Sequence, residues 1–394
     1  MSGDNWDVVI IGGAVTGAAT AWWLLQSDPA LRVVVVEKDP SYARAATALS
    51  VASVRQQFSN PVNVEISRFG VGFIRDFGAR VGPEGGVPSL GLKENGYLFL
   101  SGTTEGAALL AELAAMQRGL GAATEVLGPE ALAERFPWMQ VDDVTAGSIG
   151  ARDEGWFDNM GLLNGFRNAA RARGAVFVQD RVTGLERKGD RIVAALTEKG
   201  ARLEGGAFLC AAGTGSTAIC RMAGIELPVE PRKRTVFVID APNARHPDAP
   251  LIIDHGGIYL RPEHGQWIAA TVPDEDGPCA EDDWEPDHAQ FEELIWPKLY
   301  ARSEGFDAVK VTRFWVGHYD YNTLDQNAVL GRWPGHANFH VAAGFSGHGL
   351  QQAPAVGRGL AEVILTGGYR TLDLSPLGAE RVLAKRPFLE KAVV

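Results

Sequence analysis

The chain has 394 residues, and its 37 basic and 48 acidic side chains give a formal net charge of −11 at pH 7. It is 46% hydrophobic and 22% charged, which excludes disordered and fibrous proteins and suits two domains or one large one. The negative charge argues against nucleic acid or an anionic membrane as partner. Glycine is in excess, at 47 residues, as expected where backbone turns tightly or approaches a ligand closely.

Two further features bear on the compartment. Residues 8–25 carry no charge over 18 positions, but Gly12 and Gly13 interrupt them, so strand, turn and helix are predicted rather than a membrane span. The three cysteines, Cys210, Cys220 and Cys279, have the spacing of neither a disulfide framework nor a zinc site, so no metal is expected. With an acidic start unlike a signal peptide, the sequence predicts a cytoplasmic protein.

In chain order, the hydrophobic pattern first predicts a βαβ unit, with a strand at 8–11, a helix at 14–26 and a strand at 32–36. Further helices are predicted at 62–79, 105–118, 129–136, 161–173, 287–300 and 352–366. Further strands are predicted at 96–100, 175–178, 182–187, 191–198, 207–212, 235–239, 258–260, 267–271 and 339–343. The pattern indicates a nucleotide-binding sheet interrupted by a second, more antiparallel domain.

A glycine motif opens the first predicted helix. Residues 12–17 match G-x-G-x-x-G with alanine at the second glycine. Gly12 is expected to make the tight turn, Gly17 to let helix and strand pack closely, and the helix N-terminus to face a pyrophosphate. Glu37 ends the next strand 20 residues after Gly17, where an acid binds ribose hydroxyls and disfavours NADP. A glycine-rich turn without a ligand is the alternative.

A second segment distinguishes FAD from NAD. Residues 208–215 resemble the strand that returns beneath the adenosine in flavoproteins, and a second complete fingerprint for a nicotinamide nucleotide is missing. With the segments 49–59, 319–327 and 344–354, the sequence resembles the D-amino-acid-oxidase-like FAD oxidoreductases, the group of sarcosine oxidase, glycine oxidase and dimethylglycine dehydrogenase. It is most similar to the branch of FAD-dependent oxidoreductase domain-containing proteins.

The resemblance covers essentially the whole chain and implies an α/β fold of the glutathione-reductase-like type. A Rossmann-like FAD-binding domain would comprise residues 1–90, 145–222 and 323–394. It would be interrupted by an α+β substrate domain with a mainly antiparallel sheet, residues 91–144 and 223–322.

The resemblance also implies the cofactor contacts. In the family the motif Gly-Phe-Ser-Gly-His-Gly opens a helix beside the flavin ring, and its amides stabilise negative charge on the pyrimidine carbonyl. The residues expected to contact FAD are Gly12, Gly13, Ala14, Val15, Gly17, Glu37, Lys38, Thr47, Ala48, Ser50, Ser53, Val54, Arg55, Val182, Ala211, Ala212, Gly213, Gly344, Gly347, His348, Gly349, Leu350 and Gln351.

Several positions depart from the family's pattern. Gln351 stands where sarcosine oxidases carry a lysine that pairs with the substrate carboxylate. His318 and Ser50 stand at the two positions where relatives attach flavin covalently, so non-covalent FAD is expected. Tyr259 stands near the position of the oxygen-activating lysine, and Arg261 follows two residues on. The exact substrate and electron acceptor therefore do not carry over.

The activity implied is oxidation of a secondary or tertiary amine, such as an N-methyl or N-carboxymethyl amino acid, by hydride transfer to FAD. The imine formed would hydrolyse, and the electrons would pass to oxygen, a quinone or an electron-transfer partner. Arg55 is the expected anchor of the substrate carboxylate, and Arg261 is the second choice. The candidate catalytic residues are Arg55, Tyr259, Arg261, His318, Tyr319, Tyr321, His348 and Gln351.

Two other functions stay open. A 2-hydroxy-acid dehydrogenase would need a base near the flavin, for which His255, His264, His318 and His348 are candidates. A flavin-bound assembly factor without turnover is a role to which the nearest branch has been linked.

Two charged segments also need an interpretation. The basic run 232–234 is predicted to form a solvated or inter-domain face. Residues 274–287 carry eight acids and no base, and they are interpreted as a solvated loop or as a docking site for a basic electron-transfer partner.

Overall fold

The computed structural model describes residues 5–391. Its strands are β1 (Asn5–Ile11), β2 (Val33–Glu37), β3 (Ser53–Val54), β4 (Tyr97–Ser101), β5 (Thr124–Leu127), β6 (Ala146–Gly150), β7 (Gly155–Trp156), β8 (Val176–Gln179), β9 (Val182–Lys188), β10 (Arg191–Thr197), β11 (Arg202–Cys210), β12 (Val229–Asp240), β13 (Leu251–Ile253), β14 (Ile258–Glu263), β15 (Gln266–Thr271), β16 (Lys310–Asn322), β17 (Val329–Arg332) and β18 (Phe339–Ala343).

Its helices are α1 (Val15–Ser27), α2 (Pro61–Arg75), α3 (Phe77–Val81), α4 (Thr104–Gly119), α5 (Pro129–Arg135), α6 (Asn159–Ala172), α7 (Ser216–Met222), α8 (Trp296–Arg302), α9 (Gly349–Thr366) and α10 (Glu380–Leu383). A one-turn π-helix, Phe291–Ile295, leads into α8. Within residues 5–391 no helix combines the length and the apolarity needed to cross a bilayer.

The first sheet has the order β17-β18-β11-β1-β2-β8, and β9 and β10 extend it from β11. Neighbouring strands are parallel along the run β18-β11-β1-β2-β8. Strand β17 is antiparallel to β18, and β10 is antiparallel to β11. Helices α1, α2, α6 and α9 cover one face with a continuous apolar core. The sheet is mostly parallel and is covered by helices, which confirms the prediction of a Rossmann-like fold.

The second sheet has the order β16-β12-β15-β14-β13-β4-β6-β5 and is antiparallel except where β13 pairs with β4. Strand β6 pairs with both β4 and β5 in this sheet, although the predicted boundary at residue 145 assigned it to the FAD-binding domain. Its residues are Ala-Gly-Ser-Ile-Gly, which show no branched or alternating strand pattern. The second sheet therefore extends to residue 150.

Two predicted helices differ from those observed. The helix predicted over 62–79 breaks at Asp76 into α2 and α3. The last long helix begins at Gly349 and not at 352, so Pro354 lies inside α9 and not in its first turn. The carbonyl of Pro354 instead accepts a hydrogen bond from Trp23 Nε1 of α1 at 2.9 Å, which ties the two neighbouring helices together.

Candidate functional site

A cavity of about 570 Å³ lies between the two sheets. One end is formed by the loops that follow β1, β2 and β11, at the carboxyl edge of the parallel strands, where such sheets bind ligands. The other end is formed by the second sheet, with β12, β13, β14 and β16, and by the loop that opens α9.

The turn between β1 and α1 brings backbone close to the cavity. Gly12 has φ +102°, and a Cβ there would lie 2.3 Å from the carbonyl oxygen of Ala211. Helix α1 starts at Val15 with neither a side-chain cap nor an acid in its first turn. Ala14, Val15 and Thr16 line the cavity, and Val15 N has a long contact of 3.4 Å to Thr47 Oγ1. This first turn offers backbone amides and the positive end of the helix dipole to a diphosphate.

Glu37, at the end of β2, is held against the same turn. Its Oε2 accepts a hydrogen bond from Gly13 N and its Oε1 accepts one from Asp39 N, both at 2.8 Å. The carboxylate therefore faces the cavity in a fixed orientation, with lone pairs left for ribose hydroxyls. Lys38 and Arg181 bring positive charge to this end of the cavity.

The loop before α9 carries the second helix N-terminus. Asp320 Oδ2 accepts hydrogen bonds from Gly344 N at 2.8 Å and Phe345 N at 3.2 Å, and burial raises the pKa of Asp320 to about 6. Gly347 has φ +95°, and a Cβ there would lie 2.8 Å from the ring of Tyr319. The 18-residue helix α9 begins without a side-chain cap or an acid in its first turn, and its first residues line the cavity.

These features fit FAD. Two long helices present uncapped N-termini to one cavity, which suits the diphosphate at α1 and the electron-rich pyrimidine edge of a flavin at α9. Glu37 is placed for a ribose. The tight packing at Gly12 leaves the backbone, and no side chain, at the point where a phosphate would approach.

Arg55 is buried, with 4% of its surface exposed, at the other end of the cavity. Its Cζ lies 4.5 Å, 5.6 Å and 5.1 Å from the ring centres of Phe58, Tyr97 and Phe99. Its backbone N donates to Gln351 Oε1 at 2.7 Å. Within residues 5–391 no carboxylate is in ion-pair contact with the guanidinium, so this buried cation has donors free for an anion.

His348 is the side-chain partner of Arg55, with its Nε2 at 3.0 Å from the guanidinium. Burial, and then the charge of Arg55, lower the pKa of His348 to about 3. The imidazole is therefore neutral at physiological pH, and Nε2 accepts the hydrogen bond from Arg55.

The wall beside Arg55 is apolar and aromatic. Tyr97, Leu251, Ile253, Tyr259 and Tyr319 all line this end of the cavity. Burial raises the pKa of Tyr259 well above its ordinary value and also raises that of Tyr319, so both phenols stay neutral. Besides Arg55, this wall carries Arg234, whose Cζ lies 5.2 Å from the ring centre of Tyr319 and whose charge is paired with Asp276.

The basic run 232–234 pairs with the acidic segment and does not form a solvated face. Arg232 and Arg234 both contact Asp276, at 3.0 Å and 2.6 Å, and Lys233 contacts Asp283 at 2.7 Å. Arg234 is only 6% exposed and lines the cavity. Two acids of the segment thus bind the basic run, whereas the other six acids lie exposed in a loop, as the solvated-loop interpretation expects.

Part of the acidic segment reaches the mouth of the cavity. Trp284 stacks on His318 with ring centres 4.0 Å apart and an interplanar angle of 14°. Arg44 lies over the same indole at 5.1 Å, and the carbonyl of Asp283 is 2.7 Å from His318 Nε2. His318 is thus fixed at the cavity by two neighbours.

Most of the predicted site residues lie together at this cavity. The predicted residues that line it are Gly12, Ala14, Val15, Glu37, Lys38, Thr47, Ser50, Ser53, Arg55, Ala211, Ala212, Gly213, Tyr259, His318, Tyr319, Gly347, His348, Gly349, Leu350 and Gln351. Three further predicted glycines lie behind the cavity wall. A Cβ at Gly17 would lie 1.9 Å from Gly12 O, Gly13 N donates to Glu37, and Gly344 N donates to Asp320. Ala48, Val54 and Val182 do not line the cavity.

Two predicted catalytic residues, Tyr321 and Arg261, lie outside the cavity. Arg232 covers the ring of Tyr321, with its Cζ 3.7 Å from the ring centre. Arg261 forms an ion pair with Glu263, and its Nε and Nη2 donate to the carbonyl of Val51 at 3.1 Å and 3.0 Å. Neither side chain is free to contact a substrate, so both are excluded from the proposed site.

Sequence reasoning missed part of the cavity wall. Tyr97, Leu251, Ile253 and Trp284 line it, yet no motif contains them. The first three lie on the paired strands β4 and β13, which the chain brings together from positions more than 150 residues apart. The only sequence feature that pointed to these three residues was the apolar character of their strands, and every strand in a protein core has that character.

The Rossmann-like sheet and the cavity at the carboxyl edge of its parallel strands are typical of proteins that bind a dinucleotide. Residues 7–363 match the DAO family, described as FAD dependent oxidoreductase. The chain belongs to this family, which implies that it binds FAD.

Individual relatives agree. The chain is similar to FAD-dependent oxidoreductase domain-containing protein 1 of Xenopus laevis, with 40% identity over 98% of this chain and 85% of the relative. It is 25% identical to mitochondrial sarcosine dehydrogenase of Mus musculus, over 92% of this chain and 40% of that protein. The crystal structure of L-proline dehydrogenase from P. horikoshii superimposes with a TM-score of 0.86 and 26% identity, covering 97% of this chain and 99% of that one.

Proposed function

We propose that the protein oxidises a secondary or tertiary amine that carries a carboxylate, and that N-substituted amino acids are its substrate class. The observation that carries the proposal is Arg55. A buried guanidinium, held between three aromatic rings and without a carboxylate contact in residues 5–391, lies at the cavity end opposite the α1 turn. Burying such a charge is costly unless an anion pairs with it, and a substrate carboxylate supplies that anion.

Bound FAD supplies a two-electron acceptor for the hydride that leaves the substrate carbon. The chain's own residues bind, orient and desolvate the substrate. Arg55 binds the carboxylate with its planar fork, and the rings of Tyr97 and Tyr259 exclude water from the amine. Low polarity and the nearby positive charge favour the unprotonated amine, whose lone pair is needed to form the iminium. Water then hydrolyses the iminium to an amine and a carbonyl compound.

Two of the relatives support the amine class. The names of L-proline dehydrogenase and sarcosine dehydrogenase give proline and sarcosine as their substrates. Both compounds are secondary amines with a carboxylate, which is the combination that the Arg55 end of the cavity suits.

The rival 2-hydroxy-acid reaction needs a strong base at the cavity. Of the four candidate histidines, His255 pairs with Asp143 and His264 with Glu263, both away from the cavity. His348 lines the cavity, but a pKa of about 3 makes it a weak base. Among these residues, His318 is the remaining candidate, and its Nε2 contacts the carbonyl of Asp283.

Anaerobic reduction of the flavin tests the proposal. The holoenzyme is mixed without oxygen with sarcosine, with a series of N-methyl amino acids and with 2-hydroxy acids, and absorbance near 450 nm is followed. We expect bleaching by members of the amine series only. Bleaching by 2-hydroxy acids alone would favour the rival dehydrogenase, and an unchanged flavin with every compound would favour an assembly factor without turnover.

FAD is expected to be bound without a covalent bond, because the two positions that attach flavin in relatives are Ser50 and His318 here. Acid precipitation of the holoprotein should leave all yellow colour in the supernatant, and the pellet should show no flavin fluorescence. Flavin retained on the denatured chain would contradict this prediction, and His318 would be the first residue to replace.

Reduced enzyme is expected to react slowly with oxygen. Oxygen reduction is fast where a fixed cation stabilises superoxide beside the flavin. Tyr259 is neutral at the position of the family's lysine, and the charge of Arg261 is paired with Glu263 away from the cavity. Rates of flavin reoxidation after substrate reduction, in air and with an artificial quinone, measure this. Reoxidation as fast in air as with the quinone would show that another cation stabilises superoxide beside the flavin.

A further inference from the structure

The loop that follows β15 crosses the mouth of the cavity. Its residues 280–286, which we call the flap, contain neither helix nor strand, and Glu281, Asp282 and Trp284 of the flap line the cavity. Both of these acids are exposed, and within residues 5–391 neither carboxylate forms an ion pair. The tip of the flap is therefore not anchored to either sheet through its acidic side chains.

Both ends of the flap are tied to β12. Before the flap, Cys279 N donates a hydrogen bond to the carbonyl of Pro231 at 2.9 Å. After the flap, Asp287 N donates one to Thr235 Oγ1 at 3.1 Å. A short loop with two fixed ends can swing outward without displacing either sheet, so the flap is able to move as a unit.

Three contacts hold the flap against the cavity. Asp283 Oδ2 is 2.7 Å from Lys233 Nζ, and the carbonyl of Asp283 accepts a hydrogen bond from His318 Nε2 at 2.7 Å. The indole of Trp284 lies between two cationic or polar partners, the ring of His318 at 4.0 Å and the Cζ of Arg44 at 5.1 Å. All three contacts are made by the two neighbouring residues Asp283 and Trp284.

These contacts join the two walls of the cavity. Arg44 belongs to the loop that follows β2 of the first sheet, whereas His318 belongs to β16 of the second. Trp284 touches both and itself lines the cavity, so the indole spans the opening between the two sheets. FAD bound between Glu37 and the N-terminus of α9 would lie behind this closed mouth.

The closed position is held weakly. Trp284 Nε1 is buried without a hydrogen-bond acceptor in the part of the chain that the structure describes, which costs free energy in the closed state. The side chains of Lys233 and Asp283 are 27% and 35% exposed, so water and salt weaken their attraction. The contacts of the flap can thus break while the backbone hydrogen bonds at its ends remain.

We propose that the flap opens and closes over the FAD site and that its opening limits the rate at which FAD leaves. A dinucleotide enclosed between two sheets leaves through the mouth of the cavity, and Trp284 occupies that mouth. Opening breaks the contacts of Asp283 and Trp284 and no others that fix the flap within residues 5–391. The inference goes beyond the proposed function, because it needs FAD in the cavity but no particular substrate.

The test measures release of the cofactor and not activity. Holoprotein loaded with radiolabelled FAD is mixed with an excess of unlabelled FAD, and the label that stays with the protein after rapid gel filtration gives a first-order rate. Trp284→Ala removes the stack on His318 and the contact with Arg44, so FAD should leave about tenfold faster. Trp284→Phe keeps an aromatic ring at the mouth and should give an intermediate rate.

Lys233 shows whether the flap itself is responsible. Neither Lys233 nor Asp283 lines the cavity, so replacing them can act on FAD only through the position of the flap. Lys233→Glu and Asp283→Lys should each release FAD faster, and the double variant, which restores an opposite-charge pair, should return close to the wild-type rate. Glu285→Gln is the matched control, because this flap acid forms no ion pair within residues 5–391, and it should release FAD at the wild-type rate.

Salt gives an independent measurement on the unmodified protein. Raising the salt concentration from about 0.02 M to about 0.5 M should accelerate FAD release from the wild type about threefold, since it screens the half-exposed pair of Lys233 and Asp283. Lys233→Glu should lose this acceleration.

Three outcomes would overturn the inference. The first is a wild-type release rate in Trp284→Ala, the second is a double charge reversal that releases FAD as fast as the single variants, and the third is FAD that no variant releases. Failure of the proposed function looks different, because amines would then leave the flavin oxidised while the release rates still followed the flap variants.

Discussion

Gly17→Val is expected to give a protein that retains little FAD and unfolds at a lower temperature than the wild type. A Cβ at Gly17 would lie 1.9 Å from the carbonyl oxygen of Gly12 and 3.3 Å from Ile10 Cγ2. The obstructing atom belongs to the backbone of the turn, so it cannot move aside as a flexible side chain would. Helix α1 must therefore shift away from β1, and the amides at its N-terminus move with it.

The cost of the shift is large. Overpacking a buried contact of this kind costs about 1–3 kcal/mol or more, and the diphosphate site is distorted at the same time. FAD content is measured as the ratio of flavin to protein absorbance after desalting, and stability by thermal unfolding of the holoprotein.

Gly72→Val on α2 is the matched control, because no atom lies within 4 Å of a Cβ built at Gly72. The control should keep the wild-type flavin content. A Gly17→Val protein with full flavin content would refute the dinucleotide assignment of this turn.

The same turn shows what could be predicted from sequence. The spacing of Gly12, Gly17 and Glu37 encodes local geometry, because a positive φ, a close helix and an acid at a strand end are each requirements of the nearby backbone. Strand β6 could not be predicted, since its small residues become a strand only by pairing with β4 and β5. Ile253 could not be predicted as a cavity residue for the same reason, because it reaches the cavity through the pairing of β13 with the distant β4.

The position of two candidate site residues outside the cavity has a geometrical cause. Tyr319 and Tyr321 share a face of β16, and Tyr259 and Arg261 share a face of β14. Residues two apart on a strand are about 7 Å from each other along it, which is enough to leave the cavity. Tyr321 lies under Arg232 and Arg261 lies against Glu263, whereas the other member of each pair lines the cavity. The alternating pattern of a strand predicts on which face of the sheet a side chain lies. It does not predict how far a site extends along that face.

Arg55→Lys is expected to retain FAD but to lower kcat/KM for an amino-acid substrate by about 30- to 5,000-fold, which corresponds to the ~2–5 kcal/mol lost when a buried charge pair is disrupted. Lysine keeps the positive charge. It lacks the planar fork that packs between Phe58, Tyr97 and Phe99 and that holds a carboxylate at two points. The backbone N of residue 55 still donates to Gln351, so the loop beside the cofactor is kept.

The preference for a carboxylate distinguishes an anchor from a merely structural arginine. Wild-type enzyme should prefer the free acid strongly over the amide or ester of the same substrate, and Arg55→Lys should lose most of that preference because the uncharged analogue is affected little. Arg234→Lys is the matched control, since Arg234 also lines the cavity but its charge is already paired with Asp276. The control should keep the ratio of acid to amide. If Arg55→Lys loses FAD, or discriminates acid from amide as the wild type does, Arg55 holds the loop in place and another group binds the carboxylate.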